Sequence, residues 1–115
     1  MGKTRSVREC LVAMYLFTKG LVRIDCETTL WEEFRMWSPI EHGILNIEEA
    51  LTVLPSCDPR FPEDEIRNGL AKIKEGLRKR KWGLVKEGRN MIYETLASAY
   101  KDEMKEIVEQ AGLRD

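Results

Sequence analysis

The chain has 115 residues, 43% of them apolar, with 19 Lys plus Arg against 20 Asp plus Glu and one His. This is the mix of an ordinary globular domain with one modest core, and the net charge of -1 excludes a bulk polycation or a polyanionic tail. Cys10, Cys26 and Cys57 are an odd set without a Cys-x-x-Cys pair, which argues against a disulfide framework or a standard zinc spacing and fits a reducing cytosol.

The longest apolar run, Cys10 to Phe17, is far short of the roughly 20 residues that cross a bilayer. Lys3, Arg5 and Arg8 before it imitate a signal peptide, but no small-x-small cleavage site follows. A cytoplasmic protein is expected. Met1-Gly2-Lys3-Thr4-Arg5-Ser6 also matches the N-myristoylation pattern, with Gly2 as acceptor. The nearby cations would supply the second signal that a single acyl chain needs; the plainer reading makes Ser6 a helix cap.

Five helical segments are predicted. The first runs from Val7 to Lys19, opened by a Ser6/Glu9 capping box and stopped at Gly20; its apolar residues go nearly all the way round. In Leu21 to Cys26, Val22, Ile24 and Cys26 alternate with polar residues, the pattern of a short strand. Thr29 and Glu32 form a second capping box before a helix that lines up Leu30, Trp31, Phe34 and Trp37 and ends at Ser38-Pro39. Asn46 and Glu49 open a third, with Ile47, Ala50, Leu51 and Leu54 at core spacing and Pro55 as its stop. The loop from Pro55 to Phe61 is too short to separate two domains, and no internal repeat is evident.

The fourth helix, Glu63 to Trp82, has acidic residues at its start and basic ones at its end, as the helix dipole favours, with Gly83 to close it. Ile66, Leu70, Ile73 and Leu77 form its apolar stripe. Gly69 and Gly76 beside that stripe mark either tolerated loss of stability or close approach by another backbone. Gly83 to Tyr93 reads as a small hairpin or as the start of the last helix. That helix carries Ile92, Leu96, Ala99, Tyr100, Met104, Ile107 and Val108 on one face.

Catalytic constellations are not evident. His42 is alone, and a pair with Cys26 or Cys57 would have to be assembled by the fold. Gly2-Lys3-Thr4 lacks the first glycine and the strand of a phosphate loop. Paired carboxylates such as Glu32-Glu33 and Glu48-Glu49 sit in first helical turns or on solvated faces. No enzyme, no metal and no cofactor are expected.

Charge is sorted along the chain. Residues 1–24 carry five basic and one acidic residue, 25–65 two and eleven, 66–93 nine and two, 94–115 three and six. The third block holds Arg67, Lys72, Lys74, Arg78, Lys79, Arg80, Lys81, Lys86 and Arg89, with Trp82 after the run of four cations. A basic stripe is the footprint of a polyanion site, and Trp82 could stack on a base or pack inward. The acidic block, with Trp31, Phe34 and Trp37, would suit a basic partner if two of those rings were exposed; at helical spacing such rings are usually core.

The stretch Glu65-Ile66-Arg67-Asn68-Gly69-Leu70-Ala71-Lys72-Ile73-Lys74-Glu75-Gly76-Leu77, continued by Trp82-Gly83-Leu84-Val85-Lys86-Glu87-Gly88, resembles the recognition helix and wing of winged-helix DNA-binding domains. That resemblance implies Arg67, Lys72 and Lys74 on a recognition helix, Lys86 and Arg89 on a wing, and a final dimerisation helix. Five helices behind Met1-Gly2-x-x-x-Ser6 also look like the matrix domains of retroviral polyproteins, which implies a membrane-surface, viral or accessory role. The expected fold is mainly α, a single five-helix domain with at most a small two- or three-stranded β element. The expected function is a small nucleic-acid-binding regulator, DNA favoured over RNA, dimeric through residues 91–111. The alternatives are an N-myristoylated membrane-surface protein and a protein-interaction adaptor.

Overall fold

The computed structural model describes residues 5–112. It is mainly helical: α1 (Val7–Thr29), a short 3-10 turn (Glu32–Phe34), α2 (Trp37–Leu51), α3 (Leu54–Cys57), α4 (Glu63–Lys79), α5 (Trp82–Ala99) and α6 (Lys101–Gln110). No strand forms among the described residues. One core joins the helices, centred on Ile24, Ile40, Ile47, Ile66, Ile73, Val85 and Ile92, all fully buried.

The start of α1 follows its local code. Ser6 Oγ accepts the Glu9 N–H at 3.1 Å, and Glu9 accepts the Ser6 N–H at 3.3 Å. These bonds, with Arg5, hold the Glu9 carboxyl below its usual range. The helix then runs straight through Gly20 and the segment expected to be a strand. Leu21, Ile24 and Thr28 are buried while Val22 and Cys26 are exposed, so the spacing that counts is three to four, not two. Thr29 caps nothing ahead of it; its hydroxyl bonds back to the Cys26 carbonyl.

Gly20 is no stop because it serves a helix crossing. A Cβ there would lie 2.6 Å from the Gly43 carbonyl oxygen and 2.7 Å from Ile47 Cγ1, and one on Gly43 would lie 2.8 Å from the Gly20 oxygen. The same device joins α4 to α5. A Cβ on Gly69 would meet the Gly88 oxygen at 2.9 Å, and one on Gly88 would run into the Gly69 oxygen. At Gly76, the Val85 nitrogen would be 2.8 Å away. The sequence alternative of close backbone approach at Gly69 and Gly76 is therefore what the fold contains.

Two antiparallel hairpins, α1–α2 and α4–α5, make up the body, and they follow one pattern. Gly-Leu-x-x-Ile occurs at 20–24 and 69–73, and Trp-x-x-(Ile/Val)-x-x-Gly-x-x-x-Ile-x-Glu-x-Leu at 37–51 and 82–96. This is an internal repeat, contrary to the expectation of none. Its presence moves several boundaries. Trp37 and Trp82 begin helices instead of ending them, Pro39 sits in the first turn of α2, where a missing N–H costs nothing, and Asn46 lies inside α2. Arg80, not Gly83, takes the left-handed position after α4, with φ 56°. Residues 83–94 are helical, so the stretch likened to a wing lies in the first half of α5.

The cysteines also depart from expectation. Cys10 on α1 and Cys57 on α3 form a disulfide, although an odd count without Cys-x-x-Cys argued against one. The pairing is long-range, made by α3 packing on the N-terminal turns of α1, and leaves Cys26 free and exposed. Gly2 lies outside the described residues. No described helix is long and apolar enough to cross a membrane.

Candidate nucleic-acid interface

The hairpins meet at the start of their second helices. Trp37 and Trp82 stack with ring centroids 4.1 Å apart and planes 15° from parallel. Each ring also receives a guanidinium from the residue two positions before the other. Arg35 lies over Trp82 at 5.2 Å and Arg80 over Trp37 at 5.0 Å. The stack fixes the α1–α2 turn beside the α4–α5 turn at one end of the molecule.

The α1–α2 turn is shaped by two local bonds. Buried Glu27 accepts the Met36 N–H at 2.8 Å, placing a carboxylate at the positive end of α2. Arg35 Nε donates to the Leu30 carbonyl at 2.7 Å. Between these anchors Trp31 and Phe34 are 76% and 62% exposed. Their helical spacing suggested a core face; in the structure only Trp37 of that set is half-buried, on Trp82. The signal that could have found this is the repeat, since a helix starting at Trp37 leaves residues 30–36 as a turn.

The ten predicted contact residues divide. Arg67 pairs with Glu63, Lys72 with Glu87, Lys74 with Glu48 and Lys79 with Glu75. Arg89 is a strut between the hairpins: Nη1 donates to Thr28 Oγ1 at 2.7 Å and to Asp25 Oδ1 at 3.2 Å, with 16% of the side chain exposed. Arg80 and Trp82 belong to the aromatic stack. Arg78, Lys81 and Lys86 are exposed and make no ion pair with a described side chain. The stripe from 67 to 89 is thus not one surface. Its outer part, Arg78 to Lys81 with Lys86, gathers at the end that also exposes Trp31 and Phe34; Arg67, Lys72, Lys74 and Arg89 lie along the helix bodies.

His42 is exposed, and the described residues hold no cluster of three or more metal-ligating side chains. Comparison with known proteins returns no matching family model, no matching curated protein and no matching solved structure.

Proposed function

We propose that this chain is a non-enzymatic binding module that holds single-stranded nucleic acid at the end of the two hairpins. The observation that carries this reading is the meeting of the two turns through Trp37 and Trp82. It puts two exposed rings, Trp31 and Phe34, at the same end as Arg78, Lys79, Arg80 and Lys81. Cations neutralise phosphates and release counterions, while flat rings accept unstacked bases of any sequence. A duplex keeps its bases stacked and offers little to Trp31 and Phe34, so the sequence expectation of DNA over RNA becomes a preference for single strands of either kind. This reading needs no wing and no recognition helix.

The test is fluorescence anisotropy with a labelled mixed-sequence single strand across a salt series. Affinity should fall steeply with salt, fall again in the Arg78→Ala/Lys81→Ala/Lys86→Ala variant, and drop about tenfold or more in Trp31→Ala/Phe34→Ala, since one stacked base is worth roughly 1–3 kcal/mol. Salt-insensitive binding, or none at low salt, removes the proposal.

A second reading has its own support. Two exposed rings in the acidic stretch 25–65 are what a protein-interaction adaptor with a basic partner would show. A protein ligand whose binding survives loss of the three cations but not of the two rings would favour it. The membrane-surface alternative rests on Gly2; a myristoyl group in the intact mass of protein from a transferase-containing host would support it.

A further inference from the structure

A large concavity lies away from that end. It is a groove of about 750 Å³, with Leu11, Met14 and Phe17 of α1 on one side, Leu54 of α3 and Phe61 below, and Leu96 of α5 on the other. The α1 bank is apolar yet open to solvent, Val7 and Leu11 being 77% and 61% exposed.

A second uncovered apolar face lies on α6. Met104, Ile107 and Val108 are spaced three and four apart on one side of the helix, and Ile107 is 63% exposed. The repeat explains why nothing covers them. In the first unit, the segment after the hairpin, α3, packs on an N-terminal extension of α1. In the second, α4 begins right after Pro62, so no such extension exists and α6 has no helix to lie on.

α6 cannot cover its own groove. Tyr100 lines that groove and donates its hydroxyl to Asp58 at 3.0 Å, and Arg60 pairs with Glu103. These contacts pin the first turn of α6 at the groove's edge. No residue of α6 lines the groove, and the helix, roughly 15 Å long, carries its apolar residues outward. The charges are complementary: α1 exposes Arg8, three residues before Leu11, and Lys19, five after Met14, while α6 carries Asp102, Glu106 and Glu109 against Lys101 and Lys105, Glu103 being taken by Arg60. The radius of gyration, 15.2 Å, also exceeds the roughly 13 Å of a closed globule of this length.

We infer that two copies exchange these helices: α6 of each chain lies in the α1–α5 groove of the other, with Met104, Ile107 and Val108 against Leu11 and Met14, and the acidic flank of α6 beside Arg8 and Lys19. The interface is isologous and closes as a two-fold dimer.

Sedimentation equilibrium at high micromolar concentration tests this. The wild-type chain should run at twice its 13.4 kDa mass. Leu11→Glu and Ile107→Glu alter exposed side chains and should leave the helical circular dichroism intact. Each should weaken the dimer by roughly 100-fold or more, because both copies of the contact are lost. The decisive sample is their mixture. A Leu11→Glu chain has a sound α6 and an Ile107→Glu chain a sound groove, so the heterodimer keeps one intact contact and should form where neither variant pairs with itself. A monomeric wild type, a variant that stays dimeric, or a mixture no more associated than its components overturns the proposal.

Discussion

In the first hairpin α1 starts thirteen residues before the crossing glycine, Gly20, whereas in the second α4 starts six residues before its counterpart, Gly69. The glycine contacts, the tryptophan starts and the Ile-x-Glu-x-Leu ends are shared; the lengths are not. The longer α1 gives α3 something to pack on and a cysteine to bond, and the shorter α4 leaves α6 uncovered. The turns differ as well. One is acidic and aromatic, the other basic and closed by a left-handed Arg80. A common scaffold thus fixes where the helices cross, and the unshared ends supply the surfaces available for binding.

The most severe way to break the comparison is to put a side chain into a crossing. Gly88→Ala would push a methyl into the Gly69 carbonyl oxygen and to 2.6 Å from Ile73 Cγ1, and Gly20→Ala would do the same to the Gly43 oxygen and Ile47. Backbone on the far side cannot rotate away, so each change should cost about 3 kcal/mol or more in urea unfolding. Gly83→Ala, where an added Cβ meets nothing within 4 Å, should stay within about 0.5 kcal/mol of the parent. Comparable midpoints for all three would show that the crossings do not depend on glycine.

The disulfide separates the units further. Cys10 and Cys57 are 47 positions apart, for which the chain-entropy account gives up to roughly 4 kcal/mol and common experience about 2–4. Cys10→Ser/Cys57→Ser should lower stability by that order. The loss of hydrogen-exchange protection should concentrate in α3 and the first two turns of α1, with α4 and α5 following only at global unfolding. Equal loss of local protection in α4–α5 would mean that the two units do not differ in this respect.

Much of the helix content was legible because it is written locally. Ser6 and Glu9 sit at the spacing of a capping box, and Glu63, Asp64 and Glu65 precede an amphipathic stripe. What was not legible is tertiary. Gly20 reads as a helix stop by propensity, and only the Gly43 carbonyl against it explains why the helix continues. Val22, Ile24 and Cys26 alternate as in a strand, but Ile24 alone of the three is buried. Cys10 and Cys57 carry no short-range motif. The basic residues stood out in sequence, yet which of them remain uncommitted depends on carboxylates brought from elsewhere, such as Glu48 to Lys74.

Arg89 offers a milder probe, since it couples the two units instead of belonging to one. Its guanidinium reaches Asp25 and Thr28 of α1 from α5. Arg89→Ala should cost about 1–2 kcal/mol, in line with lost charge-assisted hydrogen bonds to a partly buried partner. Arg89→Lys should recover only part, because a single ammonium does not reproduce the guanidinium fork. Lys72→Ala, removing an exposed pair with Glu87, should change stability by less than about 0.5 kcal/mol. If nucleic-acid affinity fell more in Arg89→Ala than in the variant lacking Arg78, Lys81 and Lys86, the binding face would lie along the helix bodies and not at the hairpin end.

The smallest effect is expected where α6 joins the body. Burial, then the hydrogen bond to Asp58, pushes the Tyr100 phenol up from 10.0 to about 12. On the other side of the contact, the Arg60 backbone N–H is the main cause that holds the Asp58 carboxyl below 3.8. For the phenol the folded state favours the neutral form. Its contribution is therefore complete below pH 10 and is lost as pH rises from 10 toward 12. For the carboxylate the contribution is present above 3.8 and lost as pH falls below it. Lysines also titrate in the alkaline range, so the informative quantity is the difference between wild type and Tyr100→Phe. The variant should lose amide protection in the first turn of α6 at neutral pH, and the gap should close between pH 10 and 12. No gap at neutral pH would mean that the ring holds α6 by packing alone, and the shortened second unit would then keep its last helix in place without the Asp58 contact.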